Sequence, residues 1–305
     1  MRTYVAARLA TAVLVVLGVS LVSFLLTFLS GDPAEIMLPP GATAQQILKF
    51  RADWGFDDPL FVQYWRFLRR AVHGDFGNSL RHGQPSLPLI VARLPATLQL
   101  TVTAMLLAIV LAVPLGVLAA TRRGGPIDLC AMGVALLGQS VPNFWLAIMM
   151  ILVFAVAWGL LPTSGRGGIA HVVMPAVAIA INLMALLTRL VRTTMIEVLA
   201  EDYVRTGRAK GLREVMVTAR HALPNALIPL VTVIGLQFGF ILGGAVVIET
   251  IFTWPGVGLF TIQAILNRDY PVVQASVFVL ATAVVLINLT VDLLYVWLDP
   301  RIRVG

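Results

Sequence analysis

The stretch LPATLQLTVTAMLLAIVLAVPLGVLAAT, residues 94–121, contains no charged side chain. A helix needs about 20 consecutive apolar residues to cross the roughly 30 Å of hydrocarbon in a bilayer. Further uncharged runs of that length occur at residues 9–30, 129–165, 167–188, 222–248 and 270–291. Gln139-Ser-Val-Pro142 interrupts the third run, so we expect an irregular entry there and one span over about residues 143–161. The sequence therefore predicts an all-α polytopic membrane protein with six transmembrane helices.

The composition agrees with lipid as the main solvent of the chain. Of its 305 residues, 59% are apolar and 12% are charged, whereas soluble domains carry about 25% charged residues. The net charge of +7 is spread between the apolar runs, which favours a membrane-orientation signal over a nucleic-acid site. Cys130 is the only cysteine, which excludes an intrachain disulfide. The apolar run at residues 9–30 lacks a signal-peptidase cleavage site, so we expect a retained transmembrane helix rather than a signal peptide.

Arginine placement predicts that both termini are cytoplasmic, because inner loops are enriched in Lys and Arg. The two short outer loops hold only Arg166 and Arg268, whereas the inner segments hold most other arginines. The predicted domains are a first helix at 1–30, an extracytoplasmic subdomain at 31–93, a five-helix core at 94–298 and a cytoplasmic tail at 299–305. The core includes a basic cytoplasmic loop at 189–221. We expect most of the subdomain's large aromatics to form a small core: Trp54, Phe56, Phe61, Trp65 and Phe67.

The sequence contains no recognisable catalytic motif. It has no Gly-x-x-x-x-Gly-Lys-Ser/Thr loop for ATP, and its four histidines are far apart. We therefore predict no catalytic site, no metal site and no cofactor bound by this chain. The middles of the predicted spans are uncharged, and Asp128, Glu249 and Asp292 lie at span ends, where we expect interfacial water to solvate them. Energy for uphill transport would then have to come from another subunit.

The cytoplasmic stretch EDYVRTGRAKGLREVMVTARH, residues 201–221, is amphipathic. A set of residues falls at helical spacing on one side: Val204, Arg208, Leu212, Val215 and Ala219. Gly211 predicts a split into two short helices, because glycine costs about 1 kcal/mol relative to alanine in a helix. Such a helix can dock into the groove of a partner protein or lie on anionic lipid. The pattern alone leaves both interpretations open.

Short motifs occur along nearly the whole chain. They are GDPA (31–34), DDPLFVQY (57–64), GDFGNS (74–79), LPATLQL (94–100), SVPNFWLA (140–147), LPTSG (161–165), EDYVRTGRAKGL (201–212), GLQFGFILGGAVVIETIFTWPGVG (235–258), RDYP (268–271) and DLLYVWLDPRIR (292–303). Together they resemble the dipeptide/oligopeptide/nickel permease family of binding-protein-dependent ABC importers, with particular similarity to the dipeptide and glutathione branches. Gly211 followed by Leu223-Pro224 matches the glycine and Leu-Pro of that family's cytoplasmic loop motif. Gly207 departs from the alanine that is common in the peptide branch, and we expect it to loosen that turn.

The resemblance implies a permease subunit in the bacterial inner membrane that forms half of a peptide pathway. Its implied partners are a second homologous permease, two ATPase subunits that bind ATP and Mg, an extracytoplasmic substrate-binding protein and membrane lipid, with no nucleic acid. The residues implied to couple to the ATPases are Arg205, Arg208, Lys210, Gly211, Leu212, Val215, Met216, Leu223 and Pro224. Those implied for the pathway or the seam between permeases are Gln237, Gly239, Gly243, Gly244, Glu249 and Trp254, although helix packing is the simpler role for the glycines.

The alternative is a stand-alone secondary transporter or channel. That class usually carries an ionisable residue in mid-membrane or an internal repeat. The sequence shows neither feature, so the importer is the preferred hypothesis. The residues leave the transported solute open, with short peptides preferred and glutathione next.

Overall fold

The computed structural model describes most of the chain. The described residues are 2–29, 38 and 41–298, and their described side chains are those of 8–25, 38, 41–52 and 55–291. The GDPA motif, the side chains of Trp54 and Asp292 and the predicted tail at 299–305 lie outside these sets.

Helices form nearly all regular structure in the described part of the chain. They are α1 (Arg2–Leu29), α2 (Ala44–Trp54), α3 (Leu60–Val72), α4 (Ser86–Val91), α5 (Leu94–Thr121), α6 (Pro126–Ser140), α7 (Asn143–Met150), α8 (Ile169–Leu199), α9 (Asp202–Ala209), α10 (Glu214–Met216), α11 (Leu223–Ala226), α12 (Ile228–Ile251), α13 (Val257–Leu266) and α14 (Tyr270–Leu298). Two π-helical segments, Ile151–Ala157 and Val217–Ala222, continue α7 and α10. An isolated antiparallel bridge joins Asn78 and Pro85.

Five helical segments of the described chain are long and apolar enough to cross a membrane. They are Arg8–Leu25, Ser86–Thr121, Ile169–Leu199, Ile228–Ile251 and Tyr270–Val291. A sixth span results if α6, α7 and the following π-helical turns are counted together, although the chain bends there by 98°. The predicted interruption before Asn143 is confirmed, because Val141 and Pro142 separate α6 from α7. The helix after the break ends at Ala157, earlier than the predicted 161.

The fourth apolar run lies on a helix that is longer than the run. The run ends at 188, where we expected a cytoplasmic loop to begin, and α8 continues unbroken to Leu199, so the first part of the predicted loop is helical. Arg192 therefore lies on a continuous helix. Its guanidinium is paired with the carboxylate of Asp128, at 2.5 Å between Nε and Oδ1, which offsets the cost of placing the charge there.

One compact unit comprises Met1–Ala96 and Pro255–Gly305, and in it α1 packs along α14. Its buried core contains Ala71, Phe76, Ile90, Val257, Phe260, Ala264, Val272 and Ala275, and Phe67 packs against this cluster. The expectation that most aromatics of residues 31–93 are core is wrong for Phe61 and Trp65, which are 76% and 62% exposed. The core is instead shared with α13 and α14. The two compact units are defined by residue packing, whereas the predicted domains were defined by the side of the membrane on which each segment lies. The predicted domain boundaries therefore stay a prediction.

The buried carboxylate of Asp269 joins two of the sequence motifs in this unit. It accepts hydrogen bonds from the Ser79 hydroxyl at 2.5 Å and from the Leu80 backbone N–H at 3.1 Å. Asp269 and Ser79 are each 2% exposed. The GDFGNS and RDYP motifs therefore meet at one charge-assisted hydrogen-bond cluster, which fixes the 78–85 turn against the start of α14.

The second unit, Thr97–Trp254, is built around α8, which packs against α6, α7 and α12. A Cβ added at Gly116 on α5 would lie only 2.7 Å from the Cβ of Val191, so glycine permits the close approach of α5 to α8. The prediction that the acids at span ends are solvated is wrong for both that the structure describes. Asp128 is 3% exposed and paired with Arg192, and Glu249 is fully buried with Thr97 Oγ1 donating to it at 2.6 Å.

Substitution Asp269→Ala should lower the unfolding free energy by about 2 kcal/mol, because it leaves the buried Ser79 hydroxyl and the Leu80 N–H without their acceptor. Thermal unfolding of the purified chain in mild detergent measures this. The control is Asp57→Ala, which removes an exposed pair with Arg51 and should cost about 0.5 kcal/mol or less. Equal losses in the two variants would contradict the role of Asp269.

Candidate functional site

The loop between α8 and α12 contains two short helical segments, as predicted from Gly211. The first, α9, ends at Ala209, and the second starts at Glu214 and continues through the π-helical turns into α11. Gly211 lies between them with a φ of +76°. This left-handed conformation is favourable for glycine and strained for other residues. The position of the split is therefore encoded by one residue.

An ion pair closes the turn from the outside. The guanidinium of Arg208 contacts the carboxylate of Glu214, at 2.6 Å between Nη2 and Oε1. The hydrogen bond from Arg208 holds the pKa of the Glu214 carboxyl below its usual value. Stability contributed by a lowered carboxyl pKa is present at neutral pH and is lost as the pH falls through that pKa. The pair is therefore ionised throughout the physiological pH range and links the two segments, with the contribution of about 0–1 kcal/mol that is usual for an exposed pair.

The single apolar face predicted for this loop is wrong. Val204 and Val217 are fully buried and attach the two segments to each other and to the body of the unit, whereas Val215 is 80% exposed. The left-handed turn at Gly211 changes the helix direction, so the spacing that joins 204 to 215 in one helix does not apply. Val215 and the adjacent Met216, which is 43% exposed, form an outward apolar patch that we call the loop patch.

The remaining predicted coupling residues differ in exposure. Arg205 is exposed and pairs with Asp202 at 3.3 Å. Lys210 and Pro224 are exposed, and Leu212 and Leu223 are partly buried. The loop thus exposes apolar surface at the loop patch and basic side chains at Arg205 and Lys210.

The predicted pathway or seam residues separate into two groups. Glu249 and Trp254 are fully buried, and the Trp254 N–H donates to the Glu249 backbone carbonyl at 2.8 Å. Gly239 is buried, whereas Gly243 and Gly244 are exposed with open space where a Cβ would lie. Close packing among the described residues therefore does not require glycine at positions 243 and 244. They share an exposed face of α12 with Leu236, Phe240 and Val247.

Gln237 and Gly244 border a recess of about 160 Å³ within the second unit. Its lining residues are Gln139, Asn143, Ile179, Asn182, Leu183, Leu186, Gln237, Phe240, Ile241 and Gly244. Four of these ten side chains are carboxamides and none is charged. Asn182 donates from Nδ2 to the side-chain oxygen of Asn143 and to the Val141 carbonyl, the latter at 3.4 Å.

Sequence reasoning missed Gln139, Asn143 and Asn182 as site residues. The usual sequence signal of a transport site is an ionisable residue in mid-membrane, and these three side chains are neutral. The available signal was the presence of carboxamides inside runs otherwise long enough to span a bilayer.

Two family models match this chain. Residues 112–304 match the binding-protein-dependent transport system inner membrane component, and residues 1–101 match the N-terminal part of the same kind of membrane component. The chain is 39% identical to the dipeptide transport system permease protein DppB of Escherichia coli strain K12. It is 41% identical to the glutathione transport system permease protein GsiC of the same strain. Both alignments cover 99% of each chain.

The fold has a counterpart among solved structures. An inward-facing structure of the MetNI methionine ABC transporter aligns with a TM-score of 0.60 at 20% identity, over 69% of this chain and 96% of that one. These matches show that the chain belongs to the family of binding-protein-dependent transport system inner membrane components. The resemblance found in the sequence motifs is confirmed, and the protein is a multi-pass inner-membrane permease subunit.

Gly207 and Gly211 provide a matched pair of glycine-to-alanine substitutions. A Cβ at Gly207 would contact Leu212 and Val217 at ordinary distances of 3.7 and 3.9 Å, so Gly207→Ala should stabilise α9 by about 0.5–1 kcal/mol. Gly211→Ala should destabilise the turn by about 1–2 kcal/mol because of its positive φ. Hydrogen–deuterium exchange over residues 202–222 measures both effects. If both variants changed the exchange rates in the same direction, the positive φ at Gly211 would not explain the difference between the two glycines.

Proposed function

We propose that this chain is one permease subunit of an ATP-driven importer for short peptides, of the dipeptide, oligopeptide or glutathione type. The observation that carries the proposal is the similarity of 39–41% over 99% of the chain to permeases named for dipeptide and glutathione transport. The aligned stretch includes both the loop patch, where an ATPase subunit would bind, and the recess, where the solute would bind.

The loop patch supports coupling to an ATPase. Val215 is among the most exposed apolar side chains in the described chain, and an exposed apolar residue on a short helix is a typical anchor for a partner's groove. The segment that carries it is held by the Arg208–Glu214 pair and by the buried Val204 and Val217. A force applied at Val215 would therefore move α9 and α10 together. Arg205 and Lys210 supply positive charge at the edge of the contact.

The proposed complex has a defined set of partners. A second homologous permease would complete the pathway, two ATPase subunits would bind ATP and Mg, and an extracytoplasmic substrate-binding protein would deliver the solute. We propose that the chain itself binds no nucleotide and catalyses no reaction. The exposed face of α12, with Gly243 and Gly244 at its centre, is a suitable contact for the second permease, since small residues allow close helix approach.

The arginine distribution supports an orientation with both termini in the cytoplasm. The loop patch then faces the ATPases, and residues 31–93 face the substrate-binding protein. Closure of the ATPase pair on ATP would rotate the helices and alternate access to the pathway.

Affinity purification from mild detergent and reconstitution into proteoliposomes test the proposal. We expect recovery of a second permease and ATPase subunits, and ATP-dependent peptide uptake that requires a loaded binding protein. Isolation of the chain alone, under conditions that preserve a related complex, together with uptake driven by an ion gradient, would favour the stand-alone transporter.

Substitution Val215→Ser should reduce peptide-stimulated ATP hydrolysis and uptake by about tenfold, because burial of a valine side chain at an interface contributes about 1.5 kcal/mol or more. The matched control is Leu266→Ser on α13, since Leu266 is 78% exposed and lies outside the loop. Wild-type activity in the Val215 variant, or an equal loss in the Leu266 variant, would contradict coupling through the loop patch.

A further inference from the structure

We propose that the recess beside the helix break is a solute-binding site that recognises the backbone amide groups of a peptide through neutral carboxamides. Gln139 and Gln237 would contact the solute, and the Asn143–Asn182 pair would fix the helix break that borders the recess. This inference rests on the proposed peptide-import function and adds the residues and the chemistry of recognition.

The recess lies deep in the apolar helices. Gln237 is nine residues from the start of α12, and Asn182 is thirteen residues from the start of α8. At 1.5 Å per residue, these positions are about 14 Å and about 20 Å along their helices. Counted from the first residue of each helix, both positions fall within the roughly 30 Å thickness of a hydrocarbon layer. Gln237 and Asn182 therefore border the cavity within the apolar length of their helices, where polar groups are unfavourable.

The hydrogen bonding of the carboxamides divides them into two roles. Asn182 and Asn143 are bonded to each other, and Asn182 also bonds the Val141 carbonyl. Gln139 and Gln237 make no side-chain hydrogen bond within the described residues. An unpaired carboxamide facing lipid is unfavourable because hydrocarbon offers it no partner. The two glutamines are therefore suited to a cavity that contains water or solute.

The backbone gives a second, independent indication. The chain leaves the helical conformation at Val141 and Pro142, between the recess residues Gln139 and Asn143, and bends by 98°. Non-helical backbone at membrane depth is tolerated only where protein buries it or where it borders a water-filled cavity. Transporters also use broken helices to form substrate sites near the bilayer midplane. The break and the carboxamides thus point to the same place.

The chemistry of the recess selects the class of ligand. A primary carboxamide offers both N–H donors and a carbonyl acceptor, which complement the carbonyl and the N–H of a peptide bond. None of the ten lining residues is charged, so the recess does not select for the charge of a side chain. The exposed Phe240, at 76%, leaves one side of the recess open. A site of this kind suits an importer that passes peptides of differing sequence.

The test uses Gln139→Met and Gln237→Met, singly and together, in the complete complex in proteoliposomes. Methionine is close to glutamine in length but offers no amide hydrogen bond. The control is Gln263→Met on α13, because Gln263 is exposed and does not line the recess. Uptake of trialanine is compared with that of its ester analogue, in which lactate replaces the central alanine and removes one amide N–H.

We expect the double variant to transport trialanine about tenfold more slowly, which corresponds to the loss of two ordinary hydrogen bonds. The ester should be slowed about threefold, because one of those bonds is already absent. Binding-protein preference cancels, since each variant is compared with wild type on the same solute. ATPase stimulation by the loaded binding protein should stay within about twofold of wild type. If the double variant does not assemble, the single Gln237 variant should still slow the amide more than the ester.

Equal slowing of the amide and the ester, or an equal effect of Gln263→Met, would overturn the inference and leave the importer intact. Absence of ATP-dependent peptide uptake by the wild-type complex would overturn the proposed function, and the inference with it. The two failures are therefore distinguishable in one experiment.

Discussion

The carboxamide of Asn182 bonds the backbone at the point where the helical ladder between α6 and α7 is interrupted. Pro142 has no N–H to donate, and the Val141 carbonyl accepts a hydrogen bond from Asn182 Nδ2 at 3.4 Å. In hydrocarbon such groups must be bonded within the protein. Because α8 supplies this donor, the Val141 carbonyl is paired although the chain bends by 98°. The same bend brings Gln139 and Asn143 to α8 and so creates the recess.

The side chains that line the recess are uncharged, and the buried carboxylate of Asp128 is paired with Arg192 outside the recess. Asp128 is 3% exposed, but Arg192 forks onto both of its oxygens and the Gly124 N–H donates to it at 2.9 Å. Removing one partner of a buried pair costs about 3–5 kcal/mol, although a complete pair contributes little net stability. The pair therefore fixes the relation of α6 to α8 more than it stabilises the fold. That relation determines where the break at residues 141–142 meets Asn182.

The sequence was sufficient for features that depend on local chain properties. The presence of the apolar spans, the interruption before Asn143 and the split at Gly211 follow from lipid thickness and from glycine or proline chemistry, whereas the helix ends at Ala157 and Leu199 do not. Features that depend on a distant partner could not be predicted in this way. The partner of Asp128 is 64 residues away, so the acid resembled an ordinary solvated end of a span. The left-handed turn at Gly211 likewise rotated Val215 away from the face that helical spacing assigned to it.

A single helix links the loop patch to the recess. α8 runs without interruption from Ile169 to Leu199, and Asn182 is seventeen residues, or about 26 Å, from its end. Near that end the π-helical segment Val217–Ala222, which follows the loop patch, packs against α8. Coupling between distant sites requires an element with two discrete arrangements that both sites bias. α8 is a continuous helix between these two regions, whereas the break between α6 and α7 beside Asn182 is not held by a continuous ladder of helix hydrogen bonds. On the proposed coupling role of the loop patch, a displacement at Val215 would reach the carboxamides along α8 as a change in the bend between α6 and α7.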